Sequence, residues 1–66
     1  MPDVAMNGRG LMIQRGKIYR DKSGRRVRAG FMFHTTEGIH VAIRDAESDA
    51  VLGNVPASEL EAEGSG

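Results

Sequence analysis

The chain has 66 residues, no cysteine, and nine basic and nine acidic side chains, so its formal net charge is zero. Hydrophobic residues make up 39% of the chain and charged residues 27%, a composition that indicates one small folded domain rather than a disordered segment. Without cysteine the chain has no disulfides and no thiolate-bound metal. It also contains no run of about 18 apolar residues, the length that is needed to span a membrane. We therefore expect a cytoplasmic protein without a membrane partner.

The two ends of the chain lack the pattern of regular structure. Residues 1–10 contain Pro2, Gly8 and Gly10 and no periodic apolar spacing, and the chain ends in Gly-Ser-Gly. Between these ends, apolar residues alternate with a period of two, which is typical of β-strands. The pattern predicts a flexible N-terminal arm over residues 1–10, one domain over residues 11–61 and a flexible tail over residues 62–66.

The first predicted hairpin joins a short strand to a long one. Asp21-Lys22-Ser23-Gly24 supplies the Asp and Gly of a tight turn, and it separates strands predicted at Lys17–Arg20 and Arg25–His34. Gly30 lies in the middle of the long strand, where a residue without a side chain bends the strand or admits a neighbouring backbone. We expect the strand to be coiled at this point.

The remaining elements follow after two further polar turns. Ile39–Asp45 alternates apolar and polar residues more regularly than any other segment, and a fourth strand is predicted at Ala50–Val55. Pro56 then closes that strand and begins a single helical turn that ends near Leu60. Together these elements predict an all-β fold, a small five-stranded SH3-like barrel with a one-turn helix before the last strand.

Candidate catalytic and metal-binding residues are few. His34 and His40 lie on neighbouring strands of one predicted hairpin, where their side chains could approach each other, but no cysteine or well-placed carboxylate completes a metal site. The serines at 23, 48 and 58 fall in turns or caps, and none has a base beside it. We expect no catalytic residues and no metal.

The charges are segregated along the chain. Seven of the nine cations fall between residues 15 and 28, while six of the nine acidic residues lie in the C-terminal third. Cations of the first hairpin could form a basic face that binds a partner, or they could pair with the acidic third across the sheet or a subunit interface. The residues of this predicted basic face are Lys17, Arg20, Lys22, Arg25, Arg26 and Arg28.

Three aromatic residues are interleaved with these cations. Tyr19, Phe31 and Phe33 are the whole aromatic complement of the chain. Exposed aromatic rings on a small barrel can stack on unpaired bases, but a domain of this size needs its largest apolar groups inside. We expect all three rings in the core.

Several segments carry a family resemblance. Gly16–Gly24 (GKIYRDKSG), Thr36-Glu37-Gly38 with Val41-Ala42, and Pro56–Glu61 (PASELE) resemble the first hairpin, the middle turn and strand, and the ending of the plasmid-borne type II dihydrofolate reductases. That resemblance implies an SH3-like barrel and an assembly of barrels around a central pore.

The resemblance does not extend to the family's ligand contacts. A Val-Gln-Ile-Tyr segment before the proline and a lysine before Lys-Ser-Gly contact substrate and NADPH in that family. Here Leu52, Gly53, Asn54 and Val55 occupy the first segment, and Asp21 replaces the lysine. The resemblance therefore implies the fold and not the activity.

These observations favour a non-enzymatic binding module that engages a protein or a nucleic acid through the basic face, without a cofactor. The alternative is an oligomeric, NADPH-dependent reductase of the type II dihydrofolate reductase kind. A homo-oligomer is expected under either function, because a chain this short without disulfides often gains stability by assembling.

Overall fold

The computed structural model describes residues 4–8 and 10–63. Its strands are β1 (Val4–Met6), β2 (Met12–Gln14), β3 (Ile18–Arg20), β4 (Arg26–Thr35), β5 (Gly38–Asp45), β6 (Val51–Pro56) and β7 (Glu61–Ala62). A 3-10 turn, Ala57–Glu59, lies between β6 and β7. The predicted all-β class, the four predicted strands and the helical turn before the last strand are confirmed.

The strands form two antiparallel sheets. Five strands make the larger sheet in the order β6-β5-β4-β3-β7, and β1 pairs with β2 in a separate hairpin. The edge strands β6 and β7 are not hydrogen-bonded to each other, so the five-stranded sheet is open rather than closed into the cylinder that we expected. Among the described residues, no helix is long and apolar enough to cross a membrane.

The β1–β2 hairpin covers one side of the larger sheet. Ala5 and Ile13 face each other across this hairpin, and both are buried in the core. Val4–Met6 therefore forms a strand within residues 1–10, which were expected to be a flexible arm. A three-residue strand is too short to show a periodic pattern in the sequence. Residues 1–3 and Arg9 of that arm, and residues 64–66 of the expected tail, lie outside the described residues.

The core lies between this hairpin and the inner face of the sheet. Its largest fully buried side chains are Ile13, Val27, Met32, Val41 and Leu60. Leu60 follows the 3-10 turn and is 1% exposed, as expected for a residue that closes one end of the core. The side of the sheet away from this core is called the outer face below; it carries Arg20, Arg26, Arg28, Phe31, Phe33, His40, Ala42 and Arg44.

Two polar side chains hold the hairpin on the sheet. The Tyr19 hydroxyl donates to the Met12 carbonyl (3.1 Å) and accepts from the Gln14 backbone N–H (2.7 Å), so it ties β2 to β3. Asn7 is buried, and its amide donates to the Leu60 carbonyl (3.1 Å) and accepts from the Leu11 backbone N–H (3.2 Å). These bonds satisfy backbone groups that no strand ladder reaches.

Gly30 lies at a β-bulge in the long strand β4. Between the pairs Ala29↔Ile43 and Met32↔Val41, two residues of β4 oppose the single residue Ala42 of β5. A Cβ atom on Gly30 would lie 3.3 Å from the Ala42 carbonyl oxygen, closer than ordinary van der Waals contact. The expected close approach of backbones at Gly30 is confirmed.

Removal of the Asn7 amide should destabilise the fold. Asn7→Ala leaves the Leu60 carbonyl and the Leu11 N–H without their partner, which should lower the free energy of unfolding by about 1–3 kcal/mol. Urea unfolding followed by circular dichroism measures the change. The control is Thr36→Ala at an exposed position, and an equal loss in both variants would contradict the structural role of Asn7.

A branched side chain at residue 30 should also destabilise the protein. Gly30→Val forces its side chain against the Ala42 backbone, and overpacking of this kind costs about 1–3 kcal/mol. The matched control is His34→Val, at an exposed position of the same strand, which should change stability by less than about 0.5 kcal/mol. Thermal unfolding compares the two; a Gly30→Val variant as stable as the control would show that the strands do not approach closely here.

Candidate functional site

The predicted basic face spreads over two regions. Tyr19 and Val27 pair on the inner face, so their neighbours in the pairs Arg20↔Arg26 and Ile18↔Arg28 lie on the outer face of β3 and β4. Lys17 precedes β3, while Lys22 and Arg25 lie in the turn between β3 and β4. The first hairpin thus brings three of the six cations, those at 20, 26 and 28, to one face.

Two of the six cations lie beside acidic side chains of the C-terminal third. Arg26 donates to the Glu47 carboxylate at 2.6 Å and also donates to the Glu63 carboxylate, and its hydrogen bond to Glu63 is the largest cause that raises the pKa of this guanidinium. Arg25 lies 4.0 Å from the Asp45 carboxylate. The pairing that the charge segregation left open therefore occurs across the sheet for these two arginines.

The turn that carries Lys22 is held by one carboxylate. Asp21 accepts hydrogen bonds from the Ser23 hydroxyl (2.7 Å) and from the backbone N–H groups of Ser23 (2.9 Å) and Arg25 (3.0 Å). Burial raises the pKa of Asp21, but these hydrogen bonds outweigh it and hold that pKa below its usual 3.8. Ser23 thus has the structural role expected of a turn serine.

Phe31 and Phe33 lie on the outer face, so the expectation that all three aromatic residues are core residues is wrong for two of them. Tyr19 is 6% exposed, but Phe31 is 46% exposed and Phe33 is half-buried. Strict alternation from Val27 would place both phenylalanines inside. The bulge at Gly30–Phe31 shifts the alternation by one residue, which puts Met32 in the core and turns Phe33 outward.

Three rings follow one another along the outer face. The centroids of Phe31 and Phe33 are 5.6 Å apart, and those of Phe33 and His40 are 5.9 Å apart. We call these three residues the aromatic row. The ring of His40 is further fixed by a 3.0 Å contact between its Nδ1 and the Asn54 Oδ1, while its buried Nε2 has no hydrogen-bond partner in the described part of the chain.

The two histidines do not meet. Phe33 pairs with His40 and His34 pairs with Ile39, so the imidazoles lie on opposite faces of the β4–β5 hairpin. Within residues 4–8 and 10–63, no group of three or more His, Asp or Glu side chains is placed to hold a metal ion.

A groove of about 220 Å³ opens beside Phe31 on the outer face. Its lining includes the small residues Gly30, Ala42 and Gly53, together with the guanidinium-bearing residues Arg15 and Arg44. The Arg44 guanidinium donates to the Asp49 carbonyl at 3.0 Å, and Asp49 adopts a left-handed backbone conformation (φ 63°). Neither Arg44 nor Gly53 was predicted to be a site residue. Gly53, a glycine in the middle of a strand, could have indicated a second bulge.

Comparisons with known proteins add no relative. No protein-family model matches the chain, and no significant match was found among curated proteins or solved structures. A functional proposal therefore depends on the geometry described above.

The two turn carboxylates should make stability depend on pH in acid. The backbone N–H groups of Ser48 and then Glu47 lower the pKa of Asp45, and the pKa of Asp21 is also lowered from 3.8. A carboxylate whose folded pKa is depressed stabilises the protein fully above its unfolded pKa, and this stabilisation is lost as pH falls through the folded value. The urea midpoint should therefore fall as the pH drops below about 4.

The variant Asp21→Asn/Asp45→Asn tests this assignment. It should unfold at lower urea than the parent at neutral pH and lose less of its remaining stability in acid. Glu37→Gln, in another exposed turn, is the control and should keep the acid response of the parent. An unchanged acid response in the double variant would show that other groups control it.

Proposed function

We propose that the protein is a non-enzymatic binding module whose outer face takes single-stranded nucleic acid. The observation that carries the proposal is the aromatic row, with its exposed Phe31 ring, on the same face of the sheet as Arg28 and Arg44. Unpaired bases stack on aromatic side chains, and nearby cations neutralise the phosphates that connect those bases.

The aromatic row supports base stacking rather than a purely structural role. Phe31 is 46% exposed, although a protein this small has few large apolar side chains to bury. Tyr19 and Met32 lie in its core instead. The centroids of Phe31 and Phe33 are only 5.6 Å apart, so the two rings form one apolar patch on the outer face. Stacking on such a surface is tolerant of base identity, because every base has a π-face.

The cations support binding of moderate strength. Lys17, Arg20, Lys22 and Arg28 make no ion pair with a described residue, whereas Arg25, Arg26 and Arg44 each lie beside a carboxylate. Fewer cations than the six of the predicted basic face are therefore available to phosphates. Binding of a strand through these four cations is compatible with a net charge of zero for the whole chain.

The SH3-like barrel belongs to the same proposal. A short strand, a long bulged strand, two further strands, a 3-10 turn and a final short strand follow the order of that fold, and the β1–β2 hairpin packs Ala5 and Ile13 into the same core. In an SH3-like barrel the exposed sheet face is available to a partner. A homo-oligomer is compatible with this arrangement, and sedimentation at several concentrations tests it.

Replacement of Phe31 should weaken binding without unfolding the protein. Phe31→Ala removes a stacking ring, so the dissociation constant for a ten-nucleotide single strand should rise roughly 5- to 100-fold. Fluorescence anisotropy with labelled DNA and RNA strands of mixed sequence measures it. Val4→Ala is the matched control, because Val4 is 45% exposed on the separate β1–β2 hairpin.

Salt dependence separates nucleic acid from other partners. With about three or four phosphates neutralised, the slope of log affinity against log salt should be about −2 to −3. No binding of either strand at low salt would overturn the proposal and favour a protein partner. Oxidation of NADPH in the presence of dihydrofolate would instead support the reductase alternative.

A further inference from the structure

The groove beside Phe31 exists because two bulges lie side by side. In β4 the extra residue falls at Gly30–Phe31, opposite Ala42, and in β6 the pairing shifts between Ile43↔Gly53 and Arg44↔Val51. Both bulges and the strand between them carry small residues on or next to the outer face. A regular sheet would fill this part of the surface with side chains, but here the surface has a groove of about 220 Å³.

The polar side chains that line this groove are all hydrogen-bond donors. Apart from apolar residues and glycines, its lining side chains are those of Arg15 and Arg44. A guanidinium donates hydrogen bonds and accepts none. Val51, which is 70% exposed, and Phe31 form apolar walls, so the groove favours a planar group with a row of acceptors along one edge.

Arg44 is held in a defined position at this groove. The Asp49 carbonyl accepts from its Nη1 at 3.0 Å, and the Asp49 carboxylate lies 3.6 Å from the same nitrogen. The hydrogen bond to the carbonyl uses one of the five N–H donors of the Arg44 guanidinium, and the planar group can direct the other four at a ligand. The left-handed backbone of Asp49 places that carbonyl beside the guanidinium.

We propose that the groove is a guanine subsite, which binds one guanine base of the strand carried by the aromatic row. The inference rests on the proposed function. Guanine presents two adjacent acceptors, O6 and N7, and arginine donates to both in the commonest base-specific contact. Adenine places an N6 donor beside N7, and cytosine offers an N4 donor, so each would direct an N–H group at a guanidinium.

Base substitution in a constant strand tests the proposal. The probes are oligo-dT decamers with one central dG, dA, dC, inosine or 7-deazaguanine, measured by anisotropy in one buffer. The dG and inosine strands, which both keep O6 and N7, should bind about tenfold tighter than the dA and dC strands. The 7-deazaguanine strand lacks the N7 acceptor and should lose most of this preference.

Arg44→Met identifies the residue responsible. Methionine donates no hydrogen bond, whereas lysine could still donate to O6 and N7, so this variant should bind the dG and dA strands equally. Arg25→Met, outside the groove and beside Asp45, is the matched control and should keep the preference. The same comparison with ribonucleotide strands shows whether RNA is read in the same way.

The outcomes separate this inference from the proposed function. Equal affinity for all five strands, or for dG and 7-deazaguanine, would overturn the guanine subsite and leave strand binding intact. A preference for dG that survives Arg44→Met would likewise overturn the assignment to Arg44. Absence of binding to every strand would overturn the proposed function itself.

Discussion

The bulge at Gly30–Phe31 is the constraint on which both sides of the sheet depend. By adding one residue to β4, it moves Met32 to the inner face, where Met32 is fully buried, and turns Phe33 to the outer face. A regular strand would bury the phenylalanines and leave the methionine outside. The bulge also favours a glycine, because a Cβ atom at residue 30 would lie only 3.3 Å from the Ala42 carbonyl oxygen. Core packing and surface chemistry are thus determined at the same point of the chain.

The small core depends on a covering hairpin that contributes few side chains of its own. Ala5 and Ile13 are the buried residues of β1 and β2, so the hairpin adds little apolar area. Its attachment relies on the Tyr19 hydroxyl and the Asn7 amide, which satisfy backbone groups at the junction. In a domain of this size, where the buried fraction of the surface is low, such polar contacts carry a larger share of the fold's specificity.

The regular part of the fold was predictable from the sequence, and the irregular part was not. Period-two alternation and the Asp21–Gly24 turn locate β3 to β6 within one or two residues, and Pro56 marks the 3-10 turn. The faces of β4 beyond Gly30 were wrongly assigned, because a glycine indicates an irregularity without specifying whether the register shifts. The candidate site inherited that error, since Phe31, Phe33 and Arg44 share the outer face only after the shift. Strands β1 and β2 were missed because three residues cannot establish a period.

The edge strand β6 shows how the sheet limits unwanted growth. From Val51 to Pro56 it carries no charged residue, which is unusual for an exposed edge that could recruit further strands from other molecules. Its ladder is instead interrupted by the bulge at Leu52–Gly53 and ended by a proline, which has no N–H to donate. The irregularity that forms one side of the groove thus also guards against fibril-like stacking, so a change that straightened β6 would replace the groove with a tendency to aggregate.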